Sequence, residues 1–399
     1  ERERYAYRNT FALPAASDTF DDLHLSFDLL KTEFSADYVL PLADGREVKL
    51  GYDLEDDRNA FDDVAGALDP STGMIANPTA INHFRYRQRV NAAYGQYQSG
   101  LGPWTIQAGL RVEAADVSML QLNGNIPGSR RDAGVYPSLH LDRSIGETGR
   151  ISASVSRRIT RPDPEALNPF VDQQDTHNLR AGNPNLAPQD TWSSELGYTA
   201  SSTAFSYGAT GYLRLDRNSV IDVLQPLSAD VVLATRTNLP HSRSGGLEFN
   251  ANGKFGPMLS YGLSGDLFWT QIDATTLGFN GLKATTGLNL KAHLDYRATS
   301  ADTAQISVSR SDRRLTPQGQ IDAINLVNLG YRRQVRPDLA LVLTVTDALD
   351  GQRMHRVVSA AQLQDDYVRY QVGRVAMVGL VYTFGAQKKG KPGGFEYDQ

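Results

Sequence analysis

Three arginines at alternate positions, Arg85, Arg87 and Arg89, are the densest display of one chemistry in this sequence. Spaced by two on an extended chain they share a face, and Arg111, inward on the strand that follows, extends it. Guanidinium groups on a watery inner wall would draw in an anionic solute such as a phosphorylated ligand. Asp53, Glu55 and Glu113 stand nearby, and a wall of mixed sign steers an anion only weakly. A second cluster, Asp53-Leu-Glu55-Asp56-Asp57 followed by Asp62-Asp63, offers oxygens to a hard cation. It lacks the spacing and the glycine of an EF-hand and reads better as a solvated loop. The seven histidines (His24, His83, His140, His177, His241, His293 and His355) are scattered, so each reads as a polar wall or loop residue and not as a metal ligand. The chain has no cysteine, which removes thiolate metal sites, disulfides and thiol catalysis. With no nucleophile motif and no glycine-rich phosphate loop either, no residue is given a catalytic role and no cofactor is expected.

The elements that must position these residues repeat with a period of two. From Trp104, one face carries Trp104, Ile106, Ala108, Leu110 and Val112, and the other Thr105, Gln107, Gly109, Arg111 and Glu113. Leu288, Leu290, Ala292, Leu294 and Tyr296 alternate with Asn289, Lys291, His293, Asp295 and Arg297 in the same way. Successive strand side chains point to opposite faces, so each run is a strand with one apolar and one polar side. Marking such runs gives about sixteen strands, many of ~10 residues or more, which is the length a tilted strand needs to cross a bilayer. No run approaches the ~18 apolar residues of a spanning helix. The near balance of 40 basic and 45 acidic side chains argues against a nucleic-acid partner, which needs a basic footprint.

The connections take turns. Compact ones fall at Leu42–Arg46, Ser99–Pro103, Ser144–Gly149, Ala200–Thr203, Gly253–Pro257, Thr299–Asp302 and Gln334–Asp338. Longer ones lie between them, as at Asp56–Ala80, Met119–Arg131, Pro162–Asp190, Ser311–Gln320 and Asp350–Leu363. Short on one side and long on the other is how outer-membrane β-barrels are built, with tight periplasmic turns and extended external loops. A soluble all-β adhesin or binding protein would also alternate, but it uses shorter strands and has no reason to sort its loops by side. Aromatics near strand ends, among them Tyr38, Tyr52, Trp104, Trp192 and Tyr382, fit interfacial girdles. The expected fold is therefore an antiparallel transmembrane barrel over residues 1–384, followed by a flexible, low-complexity periplasmic tail at 385–399. In the last strand, Gly379, Tyr382 and Phe384 look like the C-terminal assembly signal of bacterial outer-membrane proteins, though Met377 stands where that signal is usually polar. Arg374 interrupts that strand's apolar face and belongs near the external interface, where a charge costs little.

One stretch is specific. Ser156-Arg-Arg-Ile-Thr-Arg-Pro162, then Leu167-Asn168-Pro169-Phe170, then Gly182-Asn183-Pro184-Asn185-Leu186, then Glu195-Leu-Gly-Tyr198, resembles the central region of TonB-dependent outer-membrane receptors, in the branch called the outer-membrane β-barrel protein family. Tyr136-Pro-Ser-Leu139, Gly245-Gly-Leu-Glu-Phe249 and Thr346-Asp-Ala-Leu349 agree with it, although Leu349-Asp350 stands where the family usually has Phe-Asn. Prolines 162, 164, 169, 184 and 188 stiffen a long external excursion, and its asparagines suit turns, so the motif reads first as loop architecture and second as ligand contact. The resemblance implies a receptor that takes up a scarce nutrient (a siderophore complex, carbohydrate or similar). Its implied partners are outer-membrane lipid and lipopolysaccharide, the barrel assembly machinery, and the TonB complex acting through a plug domain. Family barrels have twenty-two strands around that plug. About sixteen strands and no plug suggest the C-terminal portion of a larger barrel, and the start at Glu1 suggests a mature form or fragment. A complete passive sixteen-stranded porin is the competing expectation.

Overall fold

The computed structural model describes residues 2–11, 17–69, 74–173, 177–277, 281–360, 363–371 and 373–384. Among these residues, strands follow one another almost without interruption: β1 (Arg2–Phe11), β2 (Ser17–Pro41), β3 (Glu47–Asp69), β4 (Met74–Leu101), β5 (Trp104–Gln121), β6 (Ile126–Ile145), β7 (Gly149–Thr160), the short β8 (Asp172–Gln173) and β9 (Asn178–Arg180), β10 (Gln189–Ser201) and β11 (Phe205–Pro226). They continue as β12 (Val232–Phe255), β13 (Leu259–Asp273), β14 (Leu282–Arg297), β15 (Asp302–Ser311), β16 (Arg314–Thr316), β17 (Gly319–Ile321), β18 (Ile324–Arg336), β19 (Leu339–Thr346), β20 (Arg353–Ala360), β21 (Leu363–Tyr370) and β22 (Val375–Tyr382). Eighteen belong to one sheet, and β16, β17, β20 and β21 form a second. Removing the two- and three-residue β8 and β9 from the large sheet leaves sixteen strands of 8 to 28 residues, the number the alternation implies.

Two compact units divide the chain: residues 1–139, 156–191 and 218–238, and residues 140–155, 192–217 and 239–399. In the first, β1 to β5 pair antiparallel in sequence order. In the second, β12 to β15, β18, β19 and β22 do the same. The compact connections are tight turns whose corners use the left-handed region, with φ of 58° at Gly102 and 65° at Gly256, where a side chain would be strained.

The apolar rows are open, not packed into a dry interior. Leu110 and Val112 are 50% and 48% exposed on β5, while Glu113 on the other face is buried. Rows in the second unit behave alike, with Leu263 and Leu267 on β13, Leu294 on β14, Ile306 on β15 and Val378 on β22 all exposed. Contiguous open rows of this kind require lipid around them. From Trp104 to Ala114, ten steps of ~3.3 Å at a tilt of ~40° rise roughly 25 Å, the height of an outer-membrane apolar band. Aromatic pairs mark the compact-turn end: Phe255 and Tyr261 stack at 4.9 Å, and Tyr382 meets Phe384 edge-on at 4.6 Å.

The long excursions are corrected. β2, β3 and β4 run 25, 23 and 28 residues, far beyond a bilayer crossing. The stretches read as loops at 56–80 and 119–131 are mostly strand, because β3–β4 pairing continues to Asp69↔Met74 and only a tight turn separates β5 from β6. Above the lipid a strand can be polar on its outer side, so the apolar signal fades while the ladder continues. The second sheet occupies the excursions at 311–320 and 350–363, with β17 pairing β20 and β20 pairing β21. Residues 385–399 lie outside the described residues.

Between β19 and β20 the chain turns on Asp347, which is buried at a φ of 50°. Its carboxylate accepts from Gly351 N at 2.7 Å and Gln352 N at 3.0 Å, and its own N–H donates to Asn328 Oδ1 at 2.8 Å. The family-like Thr346-Asp-Ala-Leu segment is thus a capped corner. Asp347→Ala leaves two partly buried donors unanswered and should cost about 1–3 kcal/mol. Asp347→Asn, which keeps one acceptor oxygen and tolerates positive φ, should cost clearly less; the temperature of loss of heat-modifiable gel migration in the two variants checks the order.

Candidate functional site

The specific stretch folds into one piece of architecture within the first unit. Asp163 caps a single helical turn at Pro164–Leu167, its Oδ1 accepting from Ala166 N at 2.6 Å, with proline just inside the start. Asn168 Oδ1 accepts from Phe170 N at 3.1 Å, and Asn168 Nδ2 donates to Asn82 Oδ1 on β4 at 3.1 Å. The second half then docks on the first: Gly182 N donates to Asn168 O at 2.8 Å and Asn183 N to Ala166 O at 2.7 Å. Asn183 Nδ2 donates to Arg236 O at 3.0 Å, and Asn185 N to Asn183 Oδ1 at 2.9 Å. Both Leu167 and Leu186 are at least 96% buried against Phe84, Tyr86, Val117 and Met119 of β4 and β5. Each burial contributes about 1.5–3 kcal/mol.

Below this seat, charged residues line the same face. Arg111 Nη1 donates to Asp53 Oδ2 at 2.5 Å and Arg111 Nε to Glu113 Oε1 at 2.7 Å, while Arg161 Nη2 reaches Glu113 Oε2 at 2.8 Å. Glu113 is thereby clamped between two guanidinium groups. A cleft of ≈ 540 Å³ opens here, bounded among others by Glu33, Asp53, Glu55, Arg111 and Arg161. A smaller cavity of ≈ 230 Å³ lies under the loop, with Tyr86, Arg130, Asp132, Arg161, Pro184 and Leu186 in its wall. Asp132 Oδ2 and Arg161 Nε are buried behind this wall without a hydrogen bond.

The four arginines are not one constellation. On β4 the buried residues are Asn82, Phe84, Tyr86, Val90 and Ala92, all at even positions. Arg85, Arg87 and Arg89 therefore point to the opposite face, in register with Leu120, Ser118 and Asp116 of β5, whereas Arg111 faces Tyr94 on the inner side. This overturns the shared inner wall. The acidic run is likewise strand and not solvated loop, its carboxylates divided between two faces. Asp56 accepts from Arg87 Nη2 at 2.6 Å and Arg89 Nη2 at 2.8 Å, and Asp62 accepts from Arg85 Nη2 at 2.8 Å. The Arg161–Glu113 clamp was missed because its partners stand 48 positions apart. The helix cap was findable, since Asp163-Pro164 carries its signature.

Sixteen long, laterally paired strands with open apolar rows and a loop folded onto the inner wall define a transmembrane β-barrel. The chain belongs to the outer membrane protein beta-barrel family, whose model matches residues 4–382, and its place is the bacterial outer membrane. No match was found among curated protein sequences. Among solved structures it is similar to the ferric yersiniabactin uptake receptor FyuA from Yersinia pestis (14% identity, TM-score 0.61, covering 96% of this chain and 58% of that one). It is also similar to the copper transporter OprC (12%, 0.61, 96% and 61%) and to the ferric-catecholate import receptor Fiu from K12 E. coli (13%, 0.62, 96% and 60%). At such identities the likeness is one of fold. The chain spans about three-fifths of the length of these proteins.

A Cβ on Gly182 would lie 2.5–2.6 Å from the carbonyl oxygens of Glu165, Ala166 and Asn168, all backbone and unable to yield. Gly182→Ala should unseat the second half of the loop, read as faster hydrogen exchange across residues 164–173 and 177–188 with the long strands still protected. In the second sheet, outside the spanning strands, His355 Nε2 meets Asp366 Oδ1 at 2.6 Å and Nδ1 meets Asp322 Oδ2 at 2.7 Å. The Asp366 and then the Asp322 hydrogen bonds hold its pKa above the ordinary value. A raised folded pKa means stability that is complete below the unfolded value of ~6.5 and lost as pH climbs through the folded one. Protection factors of residues 353–360 and 363–370, taken relative to the intrinsic base-catalysed exchange rate, should therefore fall on going from pH 6 to pH 9, and His355→Gln should abolish that fall.

Proposed function

We propose that the chain is the barrel portion of a TonB-dependent receptor that actively takes up a scarce nutrient. The supporting observation is the central loop pinned by Leu167, Leu186 and the Asn168–Gly182 hydrogen bond onto the inner wall, a device that narrows a passage where an open porin would keep it wide. The chain spans only 58–61% of the three import proteins it resembles, so the rest of a receptor, a plug and further strands, accounts for the difference. Metal chelates are the first cargo to test, because two of those proteins import ferric complexes and one carries copper. In this reading the barrel holds the plug, lines the path with polar residues and presents external loops. TonB drives uptake through the plug, and no residue of the chain performs chemistry. Gly379, Tyr382 and Phe384 serve recognition by the assembly machinery, Phe384 being 87% exposed.

The sixteen long strands keep one rival, a complete passive porin. Uptake of radiolabelled ferric siderophores and of copper by cells expressing the full-length gene decides between them. Active import should be saturable and should fall to background when tonB is deleted. Flux that persists without TonB and scales linearly with concentration would establish the porin.

A further inference from the structure

Two external excursions of the second unit meet at one histidine. The first carries the hairpin β16–β17 between β15 and β18, and the second carries β20–β21 between β19 and β22. They join where β17 pairs β20 over only three residue pairs, Gly319↔Val358 to Ile321↔Arg356, and β16 holds β17 by three more. The β20–β21 ladder is far longer, with eight pairs. One step beyond the short ladder, Asp322 N donates to His355 O at 2.9 Å, which brings the Asp322 carboxylate beside the His355 ring.

His355 Nδ1 lies 2.7 Å from Asp322 Oδ2 and its Nε2 lies 2.6 Å from Asp366 Oδ1. An ionised carboxylate only accepts, so both ring nitrogens must donate, and only the imidazolium has two N–H groups. Register sets Val368 directly opposite His355, with Asp366 and Tyr370 on the same face of β21 and Arg353 on the same face of β20. Arg353 is answered by Asp350 and lies 5.5 Å over the Tyr370 ring. From the first excursion come Asp322 and Gln320, whose Nε2 donates to Asp322 Oδ1 at 2.9 Å. Arg314, Arg356, Asp365 and Arg369 stand on the opposite face. The ring is thus held between two carboxylates, while the nearby guanidinium of Arg353 is neutralised by Asp350.

When the proton leaves, one ring nitrogen becomes an acceptor facing a carboxylate, and that end must part. The Asp366 end is fixed by eight ladder pairs, whereas the Asp322 end hangs on three. The hairpin β16–β17 also has a hold of its own on the spanning strands, since Lys283 Nζ of β14 donates to Pro317 O at 3.0 Å, so it stays anchored when it parts from β20. We propose that His355 is a proton-operated clip between the two external excursions: as imidazolium it joins them into one four-stranded sheet, and as neutral imidazole it lets β17 part from β20. The proton passes to solvent, so the sheet is closed in acid and loosens as pH climbs. The clip depends on the external sheet alone, independent of TonB or cargo.

The test is the distance between spin labels at Arg314→Cys on β16 and Arg369→Cys on β21, measured by double electron–electron resonance on the full-length protein in detergent, with any other cysteine replaced by serine. Both positions are exposed and lie on the face away from His355. With His355 and Asp322 intact, one narrow distance should dominate at pH 6, and a longer population should grow at least about threefold by pH 9. Asp322→Asn should give the narrow distance at both values, because its amide donates to an unprotonated Nδ1 while Nε2–H stays on Asp366. His355→Gln should show no change between the two values. Identical distributions at pH 6 and pH 9 with both residues intact overturn the proposal. So does an Asp322→Asn variant that opens at pH 9, and so does a pH-dependent opening that survives in His355→Gln, which would place the titrating group elsewhere.

Discussion

A backbone that crosses hydrocarbon must satisfy its own hydrogen bonds, because lipid offers none. In this chain that constraint is met by long antiparallel ladders, and the ladders lock every strand's parity to its neighbour's. The face of a residue is therefore a collective property: once Leu110 and Val112 point to lipid, register carries the assignment through Ala93 on β4 and Tyr52 on β3 to Ala36 on β2. A one-residue error moves a whole row to the other side of the wall. That is how three arginines that look like the lining of a passage come to stand on its outside.

Many polar groups of the specific motif are answered within the chain itself. Asn168, Gly182 and Asn183 use their polar groups on one another and on Ala166, Phe170 and Arg236, while Leu167 and Leu186 supply the apolar contact that holds the assembly against β4 and β5. Proline suits such a segment because it removes donors that would otherwise need partners. Beneath it lies the mixed-charge wall, where Arg111 and Arg161 are answered by Asp53 and Glu113. Charges answered in this way fix geometry more than they attract.

Much of the fold was legible because lipid imposes a strict alternation on the strands inside it. Trp104 to Val112, and the rows at Leu288 to Tyr296, could be written down from residue type alone, and tight turns announced themselves through glycine and proline. Legibility failed where the lipid ends. The stretches after Asp56 and Met119 carry too many charges to look like strand, although the ladder there needs only hydrogen bonds and one covered face. The pairings that build the site were illegible for a different reason. Arg161, just past the end of β7, and Glu113 on β5 are separated in sequence by all of β6 and β7, and nothing local to either residue points to the other.

The deeper cause of the misread arginines is an inversion of pattern. On β5 the apolar residues occupy even positions up to Val112 and odd positions from Ala115, Val117 and Met119 onward. On β4 the same switch puts Phe84, Tyr86 and Val90 on the inner face above a lower half whose outer face is Tyr97, Gly95 and Ala93. Within lipid the wall is oily outside and polar inside. Above it water lies outside, and the inner face has an apolar partner in the folded loop, so the same strand becomes polar outside and oily inside, as in a soluble sheet. The hydrophobic effect acts by one rule throughout, and only the solvent on each face changes. The position of the switch, between Val112 and Ala115, thus marks the lipid boundary from the protein's side, and the charges at Asp56, Arg58, Arg87 and Arg89 collect just beyond it because that is the first height at which an outward charge meets headgroups and water in place of hydrocarbon.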